Sequence, residues 1–125
     1  MEFEFTCTNT TVKQFYIGLC NNNIKYPTNC FCCNLDNATY FLRSGEVVSN
    51  KVRDPVNNNL CYLSKSTANI VLIFLNKERQ VYFSVDDNEE IGPYNFKYSE
   101  EFKVVAGCCG SVNDTSLTLV KACYF

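Results

Sequence analysis

The chain has 125 residues, of which 46% are hydrophobic and 19% are charged, and its formal net charge is −2. This length and composition are typical of one globular domain and exclude a disordered chain. The 11 Lys and Arg residues against 13 Asp and Glu residues provide no basic face, which disfavours nucleic-acid binding.

The first residues, MEFEFTCTNTTV, lack the basic start and the apolar core of a signal peptide. The longest apolar run, IVLIFL at 70–75, is too short to span a bilayer. We therefore expect no membrane insertion. Two histories stay open: a protein made in the cytosol, or a mature secreted segment behind an added Met1.

An alternation of apolar and polar residues runs along the chain and is typical of β-strands with one solvated face. It begins in EFEFTCT at 2–8, where Phe3, Phe5 and Cys7 share one face, and it is repeated in KQFYIGLC at 13–20. The segment NIVLIFLNKERQVYFSVDD at 69–87 predicts a β-hairpin with a four-residue connection at 76–79. We expect the first strand of this hairpin to be buried on both faces.

The strand-like segments YNFKYS, EFKVVAG and SLTLVKACYF complete the set. The segments between strands are rich in Asn, Asp, Pro and Gly, as turns require, for example RDPVNNN at 53–59 and DDNEEIGP at 86–93. No eleven-residue window has a helical period. The sequence predicts an all-β fold, a single antiparallel β-sandwich domain over residues 1–125 with about eight to ten strands.

The segment VYFSVDDNEEIGPYNF at 81–96 resembles the passage between strands E and F of immunoglobulin-like domains. In that family an acidic residue, a glycine and a tyrosine follow the strand as acid-x-Gly-x-Tyr, which corresponds here to Glu90, Gly92 and Tyr94. The resemblance implies that the Tyr94 hydroxyl closes a tyrosine corner by hydrogen-bonding to upstream backbone. The earlier segment ATYFLRSGEVV is similar to the C and C′ strands.

Two features depart from the family pattern. The second core cysteine of the family would stand two residues after the tyrosine, where this chain has Phe96. The chain has no tryptophan, so Tyr40 or Phe41 would have to fill the place of the buried one. The resemblance covers about residues 38–98, and it supports a β-sandwich more firmly than the immunoglobulin topology.

Nine cysteines make the sandwich a candidate for a disulfide-rich domain. They are Cys7, Cys20, Cys30, Cys32, Cys33, Cys61, Cys108, Cys109 and Cys123. In an oxidising compartment four disulfides would leave one thiol, which is either buried and inert or links two chains into a homodimer.

Two other interpretations of the cysteines stay open. The chain has no histidine, so a zinc site would need an all-thiolate set of ligands. The candidates for that set are Cys30, Cys33, Cys108 and Cys109. Alternatively, the cysteines are small core hydrophobes of a reduced cytosolic protein. We favour disulfides and expect no metal.

Three N-x-S/T triplets predict glycosylation at Asn9, Asn37 and Asn113. All three lie in polar connections or at strand edges, which favours a secreted or extracellular protein. A cytoplasmic location in a host cell is the alternative.

Catalysis is not expected. The absence of histidine removes the commonest general base and the usual triads, and no dinucleotide or phosphate-binding glycine loop occurs. The carboxylates of DDNEE at 86–90 are typical of a solvated loop. We predict no catalytic residue and no cofactor.

The sequence thus predicts a non-enzymatic protein-recognition domain, a small secreted or ectodomain module. A composition rich in Asn, Phe, Tyr and Cys is typical of a virus-encoded protein that binds a receptor or another host protein. We expect the loops at 50–59 and 86–93, or an exposed sheet face, to carry the contact. The alternatives are a reduced intracellular viral module, structural or non-structural, with an all-cysteine zinc site, and a carbohydrate-binding sandwich.

Overall fold

A computed structural model describes residues 1–9, 15–21, 37–97, 100–108 and 115–125. These residues form ten β-strands and no helix, and none of them therefore belongs to a helix that could cross a membrane. The strands are β1 (Glu2–Asn9), β2 (Phe15–Asn21), β3 (Ala38–Leu42), β4 (Val47–Ser49), β5 (Val52–Arg53), β6 (Thr67–Leu75), β7 (Gln80–Val85), β8 (Ile91–Asn95), β9 (Phe102–Cys108) and β10 (Thr115–Cys123).

The strands form two five-stranded sheets in which every neighbouring pair is antiparallel. Sheet 1 has the order β10-β1-β6-β7-β8, and sheet 2 has the order β5-β4-β3-β2-β9. The predicted all-β antiparallel sandwich is confirmed.

The main core lies between the two sheets and follows the alternation of the sequence. Phe5 and Cys7 of β1 belong to it, as do the fully buried Ile17 and Leu19 of β2. Aromatic rings from different strands meet there, for example Phe41 and Phe83, whose centroids are 5.0 Å apart. Each large apolar side chain buried in this way contributes about 1.5–3 kcal/mol to folding.

The predicted hairpin is confirmed as β6 and β7, which pair from Leu75 with Gln80 outward around the connection at 76–79. The prediction that its first strand is buried on both faces is wrong. In β6 buried residues alternate with half-buried ones such as Val71 and Ile73. These outward residues pair with Glu4 and Glu2 of β1, whose charged groups require solvent.

The central strands β2 and β3 of sheet 2, in contrast, are buried on both faces. The outward side of β2 was expected to be solvated, but every residue from Phe15 to Cys20 is buried. A second apolar cluster covers that side, composed of Tyr16, Cys20, Ala38, Tyr40, Leu42, Val48 and Val105. The lack of a side chain at Gly107 leaves room for the Tyr16 ring, because a Cβ at Gly107 would lie 2.4 Å from the Tyr16 hydroxyl oxygen.

One polar contact joins the two sheets at their β3 and β8 strands. Thr39 is fully buried, and its hydroxyl donates a hydrogen bond to the Asn95 carbonyl of β8 at 2.9 Å. Because a hydroxyl carries one hydrogen, Ser49 is then the donor in its 3.1 Å contact with Thr39 Oγ1. The bond satisfies a buried polar group and holds edge strand β8 against sheet 2.

We predict that Thr39→Val, which keeps the shape of the side chain and removes the hydroxyl, lowers the free energy of unfolding by about 1–2 kcal/mol. Urea unfolding measures this change. Thr67→Val at the exposed start of β6 is the matched control and should change stability by less than about 0.5 kcal/mol. Equal effects of the two variants would contradict a role for the cross-sheet bond.

Candidate functional site

The two loops expected to carry a partner contact lie side by side. Loop 50–59 contains the short strand β5, an edge of sheet 2, and loop 86–93 leads into β8, an edge of sheet 1. The Asn88 side-chain amide donates to the Asn59 carbonyl at 3.1 Å and so joins one loop to the other. We call residues 50–59 and 86–93 together the β5–β8 surface.

The electrostatics of Tyr94 agree with this proximity. Burial raises the pKa of the Tyr94 hydroxyl in β8, and the neighbouring Asp54 carboxylate, which follows β5, raises it further. Asp54 itself is fixed through its backbone, because its N–H donates to the Val47 carbonyl at 2.8 Å. The edges of the two sheets therefore meet on this side of the sandwich.

Loop 50–59 is exposed but its backbone is anchored. The Asn57 N–H donates to the Gly45 carbonyl at 2.9 Å, and the Asn57 side chain accepts a hydrogen bond from the Asn59 N–H at 2.9 Å. Leu60 follows the loop and is fully buried. A loop held in this way loses little conformational entropy when a partner binds.

The acidic turn of loop 86–93 is held by Asp86, whose φ of 53° places it in the left-handed region. Its carboxylate accepts hydrogen bonds from the Asn69 N–H at 2.8 Å and from the Lys65 ammonium group. Burial by itself raises the pKa of Asp86. The hydrogen bond from Asn69 and the hydrogen bond and charge of Lys65 outweigh burial, so that this pKa lies below its ordinary value.

Lys65 belongs to a segment that Arg43 positions. The guanidinium of this buried arginine donates to three backbone carbonyls, at 3.2 Å to Tyr62, 3.1 Å to Leu63 and 2.7 Å to Lys65. It therefore holds the backbone from which the Lys65 side chain reaches Asp86. Arg43 acts on the acidic turn through Lys65 and is a positioning residue.

The β5–β8 surface combines exposed apolar and acidic side chains. Val52 and Val56 are 68% and 52% exposed, and Leu63 beside the surface is 46% exposed. The carboxylates of Asp87, Glu89 and Glu90 are exposed, and none forms an ion pair with another described residue. An apolar patch beside unpaired charges is typical of a protein-binding surface.

The predicted tyrosine corner is not confirmed. Tyr94 pairs with Val81, and Ile91 pairs with Phe83, so the segment 81–95 forms a hairpin of β7 and β8 within sheet 1. In immunoglobulin domains strands E and F lie in opposite sheets. The Tyr94 hydroxyl forms no hydrogen bond with the part of the chain that the structure describes. Glu90 and Gly92 lie on the exposed connection and start of β8.

The structure describes the side chains of four of the nine cysteines, Cys7, Cys20, Cys61 and Cys123. Within the described ranges no disulfide joins two cysteines, and Cys20, Cys61 and Cys123 are free thiols. Cys7 is buried in the main core. Burial raises the pKa of the Cys20 thiol, an effect that Lys103 lowers in part. The expected disulfide-rich framework is not confirmed.

The remaining cysteines lie outside the described residues, except for the backbone of Cys108 at the end of β9. They are Cys30, Cys32, Cys33 and Cys109. The zinc alternative uses three of these positions, Cys30, Cys33 and Cys109, together with Cys108, and it stays a hypothesis. Among the residues that the structure does describe, no group of three or more His, Cys, Asp or Glu side chains is placed to hold a metal ion.

Of the three asparagines predicted to be glycosylated, only Asn37 has a side chain among the residues that the structure describes. Asn37 is exposed immediately before β3, and its backbone N–H donates to the Asn50 side-chain oxygen at 3.1 Å. Asn113 and the side chain of Asn9 lie outside the described residues. Glycosylation at all three positions stays a prediction.

The positioning roles of Thr39, Arg43 and Lys65 were not predicted from the sequence. The only local signal was an arginine that directly follows the apolar strand ATYFL. Nothing in the sequence indicates that its partners would be carbonyls about 20 residues further along the chain.

A cleft of about 360 Å³ lies at the end of the sandwich, beside the β6–β7 connection. It is lined by Met1, Phe74, Leu75, Asn76, Lys77, Glu78, Tyr124 and Phe125. The cleft combines exposed aromatic rings with polar side chains.

Comparisons of the chain with protein-family models, with curated proteins and with solved structures gave no match.

We predict that Asp86→Asn makes stability less dependent on acid pH. Because the pKa of folded Asp86 is below its ordinary value of about 3.9, its stabilisation is complete above that value and is lost as the pH falls through the folded pKa. Urea unfolding between about pH 6 and 2.5 measures the profile. Asp87→Asn, one residue along, is the control and should keep the wild-type profile.

We predict that Tyr94→Phe changes the free energy of unfolding by less than about 0.5 kcal/mol, because the hydroxyl has no hydrogen bond among the described residues. A tyrosine corner would instead lose about 1 kcal/mol or more. Thermal or urea unfolding separates the two values, and the larger loss would restore the immunoglobulin-like corner.

Proposed function

We propose that this chain is a non-enzymatic protein-recognition domain whose β5–β8 surface contacts the partner. The observation that supports this most directly is the union of two exposed loops from opposite sheets, joined by the hydrogen bond between Asn88 and Asn59. One anchored, continuous surface offers more contact area than either loop alone.

The composition of the surface suggests the chemistry of the partner. The exposed side chains of Val52 and Val56 supply apolar surface that a partner would shield from water. The exposed carboxylates within 87–90 form a polar rim beside it. Asp86 is already paired with Lys65, so the other acids of the turn are the ones that can meet external cations. We infer a partner with an apolar patch bordered by Lys or Arg side chains.

We propose a secreted or ectodomain module, encoded by a virus, that binds a receptor or another host protein. The exposure of Asn37 in its N-x-T triplet supports an extracellular origin. The two-sheet antiparallel architecture supports an immunoglobulin-like assignment only at the level of the sandwich.

A reduced intracellular module is the second candidate, and the free thiols favour it. Cys20 is fully buried in an apolar cluster, where a cysteine acts as a small hydrophobe and needs no disulfide. This candidate shares the recognition surface and differs in compartment and in the fate of the cysteines. It also retains the all-cysteine zinc site as a hypothesis.

Carbohydrate binding is a third candidate because the cleft at 76–78 places exposed aromatic rings beside an amide and two charged side chains. Sugars bind proteins through stacking on aromatic rings together with polar hydrogen bonds. Quenching of tyrosine fluorescence across a glycan array tests this candidate, and no response to any sugar would dispose of it.

We predict that Val56→Lys and Glu89→Lys each weaken partner binding about tenfold or more, which corresponds to about 1.4 kcal/mol. Glu78→Lys is the matched control, since it makes the same charge change on an exposed turn outside the β5–β8 surface. Quantitative affinity capture with the four proteins as bait identifies partners, and titration of each partner gives the affinity. Partners retained equally by all four baits would contradict the proposed surface.

Intact mass before and after reduction, with thiol alkylation and without chelator, separates the two compartments. With Cys20, Cys61 and Cys123 free, the other six cysteines allow at most three disulfides, so the extracellular candidate predicts a native mass up to about six hydrogens below that of the reduced chain, with at least three thiols labelled. The intracellular candidate predicts nine labelled thiols, with or without the mass of one zinc ion. Labelling of only one thiol would contradict the free state of Cys20, Cys61 and Cys123.

A further inference from the structure

Strand β10 is an edge strand with exposed apolar residues. It extends over Thr115–Cys123 and, among the described strands, pairs with β1 alone. Leu119 and Val120 are 54% and 57% exposed. The outer row of backbone N–H and C=O groups of such a strand can pair with another strand.

The two ends of β10 differ in their protection against pairing. The segment TSLTLV at 115–120 has no charge, no proline and two β-branched threonines in addition to a valine. Beyond it, the register against β1 moves from Leu119 to Lys121 across Phe5 and Glu4, which leaves Val120 as a bulge. A bulge and a lysine are the features that natural edge strands use to prevent pairing.

The edges on the other side of the sandwich are protected. β8 contains Pro93, which offers no N–H, and β5 has only two residues. The acidic turn precedes β8 and adds charge to that side. Compared with β8 and β5, β10 presents the longer uncharged stretch, and it has no proline.

We propose that β10 pairs antiparallel with β10 of a second copy of this chain, about a two-fold axis at Thr118. A two-fold axis through an antiparallel pair requires one residue to face its own copy, because successive pairs alternate in hydrogen-bond type. With Thr118 on the axis, Leu117 faces Leu119 of the second copy, and the five strands of each sheet 1 become one ten-stranded sheet.

The choice of Thr118 follows from the side chains. Leu117 and Leu119 pair with the inward residues Cys7 and Phe5, so their contact across the axis extends the core side of both sheets. Thr118 would face Thr118 of the second copy, a favourable cross-strand pair. Lys121 would face position 115 of the second copy, so no like charges meet.

A second copy fits this edge better than an unrelated peptide. An extended peptide gains specificity from side-chain pockets beside the edge, and the cleft beside the β6–β7 connection is lined by no residue of 115–120. Self-pairing needs no pocket, because the same uncharged leucines and threonines occur on both sides. A strand pair of this length is small for a stable interface, so we expect a dissociation constant on the order of 10–100 µM.

The proposed dimer is non-covalent and differs from the cysteine-linked dimer that the sequence leaves open. With Thr118 on the axis, the two Cys123 residues are offset by ten positions, or about 33 Å along the strands. A disulfide needs Cα atoms within about 7 Å. The dimer should therefore persist in reductant.

The dimer has a consequence for recognition, and this part rests on the proposed function. β8 lies at the edge of sheet 1 opposite β10, so the two β5–β8 surfaces would lie at opposite ends of the ten-stranded sheet. A multivalent partner could then bind both copies and gain avidity without any new contact.

Sedimentation equilibrium in reductant, from about 5 to 500 µM protein, tests the dimer. We expect a concentration-dependent mass that approaches that of two chains, and Leu119→Lys should raise the dissociation constant at least about tenfold. Leu63→Lys is the matched control, because it makes the same leucine-to-lysine change at an exposed residue outside β10 and outside the β5–β8 surface. It should leave the self-association of the wild type unchanged, and circular dichroism should show that all variants fold.

The register is tested by Thr118→Cys, whose two copies would face each other at disulfide distance and cross-link when oxidised glutathione is added. Ser116→Cys on the same exposed row is the control, since its copies would be about 13 Å apart. Monomeric wild type at every concentration, or a dimer that Leu119→Lys leaves intact, would overturn the interface. A dimer in which Thr118→Cys cross-links no better than Ser116→Cys would overturn the register. Partner capture by the β5–β8 surface is measured separately, so failure of the dimer leaves the proposed function standing.

Discussion

Burial of one apolar face of each sheet against the other is the constraint on which the rest of this structure depends. Both sheets contribute alternating apolar residues, and rings such as Phe41 and Phe83 meet across the gap. Each sheet is assembled from strands that are distant in the chain. In sheet 1, for example, Glu2 and Lys121 are 119 positions apart and form an ion pair between the adjacent strands β1 and β10. Once the sheets are stacked, their edges and the loops that flank them have fixed neighbours.

The second constraint is that polar groups removed from water need partners. Thr39 and Arg43 are the clearest cases, because each is buried and each donates to backbone carbonyls of another segment. Thr39 ties edge strand β8 to sheet 2, and Arg43 fixes the segment from which Lys65 reaches Asp86. The exposed β5–β8 surface is therefore supported by a few buried polar contacts behind it. This arrangement suits recognition, since a surface that is already ordered loses less entropy on binding.

Several features of the fold and of the candidate site could be predicted from the sequence. The β6–β7 hairpin follows from alternation on both sides of the four polar residues at 76–79, and the exposed loops at 50–59 and 86–93 follow from their Asn, Asp and Pro content. Other features could not be predicted. The apolar residues of β2 alternate with Tyr16, Gly18 and Cys20, and this pattern by itself does not indicate whether the second face is covered. The motif Glu90, Gly92, Tyr94 does not decide the topology either, because a short acid-Gly-Tyr pattern fits a hairpin as well as a crossover between sheets.

The all-β class, the approximate strands and the turns between them follow from local residue patterns, because period-two alternation and turn chemistry act over only a few residues. Which strands are edges, which loops meet and which faces are covered became clear from the folded chain. Those outcomes depend on pairing between residues that are far apart in the chain, such as β1 with β10 or β2 with β9. No local pattern records such a pairing, since the same alternation allows a strand to lie beside any other strand with a matching apolar face.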